Sequence, residues 1–420
     1  MSNPPLNKEA RIHRMLNQRR IAFSLIERIQ TLLAPRCPFN RELAQLFREQ
    51  GKFGAKDRRL YRELIFTHLR YQPWLDRIRS DEIEFVNTLI TLASPIAEVR
   101  DLYPTLGDNA PEDSEFSNRH RLIGKSDDDI QELLPAWFLS HFNARPDIRE
   151  LLVFFQRAPL WLRIQKGDPS EILDEIESLS AGEDNSATLS LDVPNALQAP
   201  TGLPLANLDA YQSGKVEVQD INSQILLQLL DPEPAGKWLD ACAGAGGKTL
   251  QLAKMLGDYG HVVAYDSRQN ALKELEARQK RAGLSNIKIS PARPSERDFD
   301  GVLIDAPCSG SGTWRRHPFL MRQVLEKDVM DFAEKQISLM KYYANRVNDG
   351  GRLVYATCSL SRFENEHVVE TFLDGHSEFE HEPLGERFGL KDHGRGITIY
   401  PALFNGDGLY IAALRKKESR

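Results

Sequence analysis

Two cysteines follow directly after two apolar segments that the sequence predicts to be β-strands. The first segment leads into Asp305, an alanine, a proline and Cys308 within residues 300–317, and the second leads into Cys358 within residues 351–359. Ligands of an open α/β sheet bind at the edge where the strands have their carboxyl ends. We therefore expect an acid and two thiols at a ligand-binding edge.

Covalent catalysis is the chemistry that these residues could perform. A thiolate is the strongest side-chain nucleophile near neutral pH. The alternative is that Cys308 and Cys358 are small buried apolar residues, as free cysteines usually are. Small and polar residues surround both positions, where a core thiol would gain little, so the pattern favours nucleophilic thiols with Asp305 as a neighbouring proton donor or acceptor.

A glycine-rich turn, Cys242 to Lys248, follows another predicted strand and precedes a predicted helix. Glycines there let backbone N–H groups approach a ligand closely. A Walker A loop would need glycine at 242, and a dinucleotide fingerprint would need glycine where Thr249 stands. The next predicted strand ends at Asp266, which is placed to accept hydrogen bonds from a ribose diol. A ligand with an adenosine ribose and no pyrophosphate, such as S-adenosylmethionine, fits this pattern; the alternative is a plain tight turn and a solvated strand end.

Methylation of a cytosine at C5 needs the parts that this edge supplies. The C5 carbon is unreactive in the aromatic ring, but addition of a thiolate to C6 makes it enamine-like and able to attack a methyl sulfonium. A carboxyl group near N3 helps by donating or sharing a proton as charge develops on the ring. Afterwards the hydrogen on C5 must leave and the thiol must be eliminated.

The elements that must position these residues predict an α/β fold. From residue 216 onward, strands alternate with helices, which predicts a mostly parallel sheet with helices on both faces. Residues 1–140 are interpreted as one all-helical domain, since apolar residues recur there at helical spacing. Residues 141–215 are predicted to form a small α+β segment. The expected domains are therefore 1–140, 141–215 and 216–420.

The charge of the chain is unevenly distributed. Residues 1–80 carry 17 Lys/Arg and 7 Asp/Glu, whereas the whole 420-residue chain has a formal net charge of −6. A basic block within an acidic protein indicates a surface that faces a polyanion such as RNA. The alternative is that the arginines lie on solvated helix faces.

Composition sets further expectations about location and metals. No apolar run approaches the roughly 18 residues of a membrane span, and the start lacks a signal-peptide pattern. We therefore expect a cytoplasmic protein without a membrane partner. The four cysteines are scattered without metal-ligand spacing, so we expect free thiols and no metal site: Cys37, Cys242, Cys308 and Cys358.

The motifs that carry a family resemblance are Cys242–Thr249, Asp305–Ser309, Arg315–Pro318 and Thr357–Ser359, together with Pro159–Arg163, Val218–Asp220, Asn345–Gly351 and residues 407–412. They resemble the motifs of the RsmB/NOP family of RNA (cytosine-5)-methyltransferases. The basic helical start, especially residues 57–64, resembles the NusB-like RNA-binding domain of some bacterial members. The resemblance implies a Rossmann-like class I methyltransferase domain, preceded by an all-helical NusB-like domain and a small α+β segment.

The resemblance also implies roles for individual residues. Cys358 would attack C6 of the cytosine, Cys308 would assist release of the product, and Asp305 would contact the base and the methyl end of the cofactor. A DNA cytosine methyltransferase would instead use the thiol of the Pro-Cys motif as nucleophile. The residues expected to bind the cofactor, S-adenosylmethionine, are Cys242, Ala243, Gly244, Ala245, Gly246, Gly247, Lys248, Asp266 and Asp305.

Contacts to RNA are expected from the basic helical domain and from three arginines. Arg163, Arg315 and Arg316 would hold phosphates, and binding through them should weaken as the salt concentration rises. Trp314 is equally compatible with stacking on RNA and with packing inside the protein.

Three functions remain open at this point. The first is an S-adenosylmethionine-dependent RNA cytosine-C5 methyltransferase acting on ribosomal RNA, with transfer RNA as the other candidate substrate. The second is a non-catalytic RNA-binding or ribosome-assembly factor on a methyltransferase scaffold, since the acid that the family places near the adenine has no counterpart in residues 290–294. The third is methylation of another acceptor such as an amine, which would leave the two thiols unexplained. Retention of both thiols, Asp305 and Lys248 favours the first.

Overall fold

The structure is a computed structural model that describes residues 8–35, 37–49, 53–93, 99, 119–180 and 187–418. The chain forms two compact units. Unit 1 comprises the described residues of 1–140 with residues 144–157 and 314–326, and unit 2 comprises residues 141–143, the described residues of 158–313, and residues 327–418.

Helices make up unit 1 and flank the sheets of unit 2. Within the described residues, none of them is both long and apolar enough to cross a membrane. The α-helices are α1 (Lys8–Ile29), α2 (Phe39–Glu49), α3 (Ala55–Leu75), α4 (Glu82–Ala93), α5 (Ile148–Leu152), α6 (Pro169–Leu179), α7 (Asp209–Gln212), α8 (Ile221–Leu230), α9 (Gly247–Leu256), α10 (Gln269–Ala282), α11 (Leu320–Gln323), α12 (Glu326–Ala344), α13 (Glu366–Asp374) and α14 (Pro401–Phe404). Short 3₁₀ helices lie at Gln30–Leu33, Asp76–Ile78, Arg119–Ile123, Asp128–Leu133, Phe138–His141, Val153–Phe155, Leu205–Asn207 and Ser311–Thr313.

Unit 1 buries one apolar stripe from each of its longer helices. On α1 the buried residues Leu25, Ile26 and Ile29 recur at helical spacing, and on α3 Leu60 and Leu64 do the same. Such stripes stabilise a helix by packing rather than by local propensity. The prediction of a helical amino-terminal region is confirmed.

Unit 2 contains the strands, which form two sheets. The strands are β1 (Leu160–Ile164), β2 (Thr188–Leu189), β3 (Ala196–Ala199), β4 (Val216–Val218), β5 (Lys237–Asp240), β6 (His261–Ala264), β7 (Ile287–Ile289), β8 (Phe299–Asp305), β9 (Val347–Thr357), β10 (Phe379–Glu382), β11 (Ile397–Ile399) and β12 (Leu409–Lys416). The small sheet has the antiparallel order β2-β3-β1-β4. The large sheet has the order β10-β12-β9-β8-β5-β6-β7, with β11 paired to β12.

The large sheet is mixed. Four consecutive pairings, β9 with β8, β8 with β5, β5 with β6, and β6 with β7, are parallel. β12 runs antiparallel to β9, β10 and β11. The predicted α/β class is confirmed.

Both faces of the large sheet are covered. Along β5, Trp238 points into one apolar core and its neighbour Leu239 points into the other, because successive strand side chains alternate between faces. Helix α8 fills the first core through Ile225, whereas α12 fills the second through Met340 and Tyr343. A parallel sheet covered in this way is open to ligands at the ends of its strands.

The units differ from the predicted domains at residue 215. Trp161 of β1 and Ala196 of β3 belong to the same apolar core as Ile225 of α8. The small sheet also has an apolar core of its own around Leu162 and Leu197, but residues 158–215 fall in the same compact unit as the large sheet. The other departure is the segment Trp314–Glu326, which belongs to unit 1 although it follows the strand β8.

Candidate active site

The carboxyl ends of four adjacent parallel strands bring the predicted catalytic and cofactor residues to one edge. β9 ends at Thr357, just before Cys358, and β8 ends at Asp305, three residues before Cys308. β5 leads into the loop that begins at Cys242, and β6 ends two residues before Asp266. The order β9-β8-β5-β6 therefore places two thiols, an acid and a glycine-rich loop side by side.

A cavity of about 670 Å³ opens at this edge. Cavities of this size hold small-molecule ligands. Of the predicted catalytic and cofactor residues, all except Gly246 line it; these are Cys242, Ala243, Gly244, Ala245, Gly247, Lys248, Asp266, Asp305, Cys308 and Cys358.

The glycine-rich loop has the shape of a ligand cradle. Gly244 has φ +54° and Gly246 has φ +92°, a left-handed region that L side chains rarely adopt. A side chain at Gly246 would also collide with Leu275, whereas a Cβ at Gly247 would meet nothing within 4 Å. The open backbone at Gly247 begins helix α9, so its N–H groups are free to face a ligand in the cavity.

Asp266 is fixed against this loop. Its carboxylate accepts a hydrogen bond of 2.9 Å from the Gly244 N–H and further ones from the backbone and guanidinium of Arg268. Burial raises the pKa of Asp266, but these hydrogen bonds outweigh it and the net pKa is lowered. The carboxylate is therefore charged and held beside the cradle. Together the loop and Asp266 fit an adenosyl ligand whose ribose hydroxyls need an acceptor.

Lys248 and Asp305 form an ion pair inside the cavity, with Nζ and Oδ2 2.8 Å apart. Burial lowers the pKa of Lys248, but the Asp305 carboxylate more than compensates and the net pKa is raised. Lys248 is thus a cation at neutral pH. Asp240 lies behind the pair, and burial raises its pKa to about 7 although the Thr249 hydroxyl donates to it at 2.7 Å.

The two predicted catalytic thiols touch. The sulfur atoms of Cys308 and Cys358 are 3.2 Å apart. The hydrogen bond to Cys358, followed by burial and the negative charge of Cys358, raises the pKa of Cys308 well above its usual value. Cys308 therefore keeps its proton near neutral pH, and its sulfur stays in contact with that of Cys358.

Cys242 is the third thiol in the cavity. Burial raises the pKa of Cys242 far above that of a free thiol, and the carboxylates of Asp240, Asp305 and Asp266 raise it further. A thiol without accessible thiolate is a poor nucleophile. Cys242 therefore serves the cavity as a small wall residue.

The structure buries two of the three predicted phosphate-binding arginines, Arg163 and Arg315. Arg163 on β1 is 4% exposed, and its Nε donates to Gln219 at 2.5 Å. Burial lowers the pKa of Arg163 to about 10. Because its guanidinium is enclosed by protein acceptors, a phosphate cannot reach Arg163 in this arrangement, and the residue instead holds the small sheet together.

Arg315 is enclosed in the same way within unit 1. It is 2% exposed, it donates to the Arg157 carbonyl at 3.1 Å, and its own carbonyl accepts from Arg70 at 2.9 Å. Arg316 is half-buried. Trp314 is fully buried, with its ring centroid 4.4 Å from that of Phe138. Of the two interpretations of Trp314, the structure supports the packed aromatic.

Two residues at the site escaped the sequence analysis. Glu364 and Asn365, six and seven positions after Cys358, are both buried and hydrogen-bonded to the segments that carry the thiols. One sequence signal could have pointed to them: a serine follows each of the two thiols. Buried hydroxyl groups need hydrogen-bond acceptors, so a nearby buried acceptor could have been expected.

Comparison with known proteins identifies the family. Residues 227–415 match the family described as 16S rRNA methyltransferase RsmB/F. The probable ribosomal RNA small subunit methyltransferase B of Bacillus subtilis is 31% identical over 303 residues, covering 67% of this chain and 66% of that protein. Ribosomal RNA small subunit methyltransferase B of Yersinia enterocolitica is 32% identical over 302 residues, covering 70% and 68%. The chain thus spans about two thirds of the length of these relatives.

Solved structures agree on the fold. The crystal structure of PH0851 superposes with a TM-score of 0.71 at 22% identity, covering 99% of this chain and 100% of that one. NSun6 from Pyrococcus horikoshii, solved with SFG, gives a TM-score of 0.55 at 19% identity over 64% and 94%. The resemblance inferred from the motifs is confirmed: the chain belongs to the RsmB/F family of ribosomal RNA methyltransferases, and its cofactor is S-adenosylmethionine.

Proposed function

We propose that this protein methylates C5 of a cytosine in ribosomal RNA through a covalent adduct between Cys358 and C6 of the base. The observation that carries the proposal is the pair of touching thiols beside the Lys248–Asp305 ion pair at the cofactor cavity. Methylation of an oxygen or an amine would use none of these thiols. The family and its relatives support the coarser assignment to RNA methylation.

Cys358 is the nucleophile in this proposal. Of the three thiols in the cavity, Cys308 and Cys242 both have raised pKa values and keep their protons. Cys358 is the remaining thiol of the cavity, and its sulfur follows β9 and touches that of Cys308, so we assign the addition to C6 to this thiol. Cys308, already in contact with the attacking sulfur, is placed to act when that sulfur must leave the methylated base.

Asp305 is the group that meets the base. Its Oδ2 is held by Lys248, whereas its Oδ1 receives no hydrogen bond from the described residues and its side chain is 31% exposed. A carboxyl oxygen of this kind can share a proton with N3 of a cytosine as charge develops on the ring. Lys248 fixes the direction of that oxygen.

The cofactor, when bound, supplies an electrophilic methyl sulfonium. The cradle from Ala243 to Gly247 would receive it, and Asp266 would accept hydrogen bonds from its ribose. The guanidinium of Arg268 donates hydrogen bonds to that carboxylate. Because the Arg268 side chain is 71% exposed, it can move away into solvent. The ribose would take the acceptor positions that Arg268 vacates.

Replacing Asp266 with asparagine is expected to weaken S-adenosylmethionine binding roughly tenfold, because a charge-assisted hydrogen bond to the ribose is lost. Isothermal titration of the folded protein with the cofactor measures this change. The matched control is Asp258→Asn, an exposed carboxylate in the turn before β6, which should bind with wild-type affinity. If Asp266→Asn binds the cofactor as tightly as Asp258→Asn does, Asp266 does not bind the ribose.

Unit 1 is the part that we assign to RNA backbone contacts. The first half of α3 exposes Lys56, Arg58, Arg59 and Arg62, and exposed cations of this kind bind phosphates. The resemblance of this region to NusB-like domains points the same way. We assign phosphate binding to these exposed side chains, because Arg163 and Arg315 are buried.

The test of the function is direct. Purified protein and S-adenosylmethionine are incubated with small-subunit RNA, as free RNA and as assembling particles, and with transfer RNA from cells lacking this protein. Nucleoside mass spectrometry should find 5-methylcytosine in the ribosomal RNA, at one position mapped by bisulfite sequencing. If 5-methylcytosine forms only in transfer RNA, the substrate is transfer RNA and not ribosomal RNA. No product in any of them, while the cofactor binds, would contradict the proposed activity and favour a non-catalytic assembly factor.

A further inference from the structure

A single buried carboxylate joins the two segments that carry the thiols. Ser309 and Ser359 each follow a thiol directly, and both of their hydroxyls donate to Oε2 of Glu364, the latter at 2.6 Å. The Ser309 backbone N–H donates to Oε1 at 2.8 Å. The side-chain amide of Gln336 links Oε1, at 3.1 Å, to the carbonyl of Pro307, at 2.9 Å. We call this set of contacts the Glu364 bridge.

The Glu364 bridge carries an unusual electrostatic cost. Glu364 is 0% exposed, and its side-chain partners among the described residues are the uncharged Ser309, Ser359 and Gln336. Burial raises its pKa, and the hydrogen bonds from Ser309, Ser359 and Gln336 oppose that change. A buried acid without a cation is a poor source of stability. Its presence therefore calls for a role other than holding the core together.

The bridge is well placed to fix the distance between the thiols. It joins the residues immediately after Cys308 and Cys358. A shift of Ser309 or Ser359 therefore moves the cysteine that is one peptide bond away. Asn365 tightens the second segment by accepting from the Thr357 hydroxyl at 2.7 Å and donating to the Ser359 carbonyl at 3.0 Å. Catalytic groups must be held within about half an ångström of their productive positions, and supporting hydrogen bonds supply that precision.

We propose that Glu364 is a positioning residue that sets the separation of the Cys308 and Cys358 sulfur atoms by accepting hydrogen bonds from both thiol-bearing segments. Glu364 does not touch the substrate in this inference; it acts through Ser309 and Ser359. Its consequence for turnover rests on the proposed function, whereas its consequence for the two thiols does not.

The experiment measures the thiols without RNA or cofactor. Glutathione disulfide oxidises the two thiols to an intramolecular disulfide and is itself reduced to two glutathione thiols, and the equilibrium constant reports how closely the two sulfurs are held. Quantification of the Cys308–Cys358 disulfide by peptide mass spectrometry is the readout. We expect Glu364→Ala to lower this constant by at least about tenfold, the effect of losing a charge-assisted hydrogen bond. Glu364→Gln should restore part of it, because its amide keeps one acceptor and can donate to the serine hydroxyls.

Glu382→Ala is the matched control. Glu382 lies on β10 and pairs with Arg352 and Arg415, so its loss also removes a partly buried carboxylate from the sheet. It should leave the thiol equilibrium unchanged. If Glu364→Ala does not fold, the double variant Ser309→Ala, Ser359→Ala removes the two hydroxyl links and must lower the constant instead.

Turnover gives the second readout. In Glu364→Ala, kcat should fall roughly 10²-fold, the usual effect of misplacing a catalytic group, while KM for RNA stays within about twofold. A folded variant with the wild-type thiol equilibrium would overturn the inference. If the wild-type protein makes no 5-methylcytosine, the proposed function fails, but the thiol equilibrium still decides the role of Glu364.

Discussion

Cys358→Ala is expected to lower the rate of methyl transfer by about 10⁴-fold or more, as the loss of a covalent nucleophile does in other enzymes. No other thiol in the cavity can replace it, because Cys308 and Cys242 both hold their protons tightly. Transfer of radiolabelled methyl groups to RNA measures the rate. Cofactor affinity should remain near that of the wild type, since the cradle from Ala243 to Gly247 is intact.

Stability separates a catalytic loss from a structural one. Cys358 is half-buried at a strand end, so removing its sulfur should change the free energy of unfolding by less than about 1 kcal/mol. The control is Cys37→Ala, a thiol of unit 1 outside the site, which should keep the wild-type rate. A Cys358→Ala protein that methylates RNA at the wild-type rate would eliminate the covalent mechanism.

Cys308→Ala is expected to accumulate a covalent protein–RNA complex that survives a denaturing gel. The Cys308 thiol lies 3.2 Å from the Cys358 sulfur, so its removal should leave attack on C6 possible and impair the later departure of that sulfur from the methylated base. Multiple turnover should stop while the first methyl transfer proceeds.

Two controls test whether that complex is the proposed adduct between Cys358 and the methylated base. The double variant Cys308→Ala, Cys358→Ala should form no complex, because the attacking sulfur is gone. Omission of the cofactor should also reduce its yield, since the trapped species follows methyl transfer. Wild-type turnover of Cys308→Ala with no gel-stable complex would remove Cys308 from the reaction.

Local sequence was sufficient to predict the sheet edge. Short continuous apolar segments that alternate with helices become the strands of a parallel sheet, and a parallel arrangement brings their carboxyl ends together. The positions of Asp305, Cys308 and Cys358 follow from that rule alone. The cradle was predictable for a similar reason, since the left-handed backbone at Gly244 and Gly246 requires glycine.

Tertiary partners of charged side chains were not predictable in this way. Arg163 and Arg315 stand in sequence motifs that carry the family resemblance, and an arginine is more often exposed than buried. Whether a guanidinium meets a phosphate or a backbone carbonyl depends on residues far away in sequence, such as Arg157 for Arg315. The same reason hid Glu364, whose partner Ser309 lies 55 residues earlier in the chain.

The compact units differ from the predicted domains for a comparable reason. Residues 141–215 have a mixed local pattern that suggests a separate body, but Trp161 and Ala196 complete the apolar core of α8. Periodicity reports which face of an element is buried and says nothing about which other element covers it.

The most direct test of the central claim is a double-label experiment on C5. Ribosomal RNA carrying tritium at C5 of cytosine is incubated with the protein and with S-adenosylmethionine labelled with carbon-14 in its methyl group. The proposed chemistry requires that each methyl group replace one hydrogen at C5, so one tritium should be released into water for each carbon-14 incorporated. Incorporation of carbon-14 without release of tritium would place the methyl group on another atom and contradict the account.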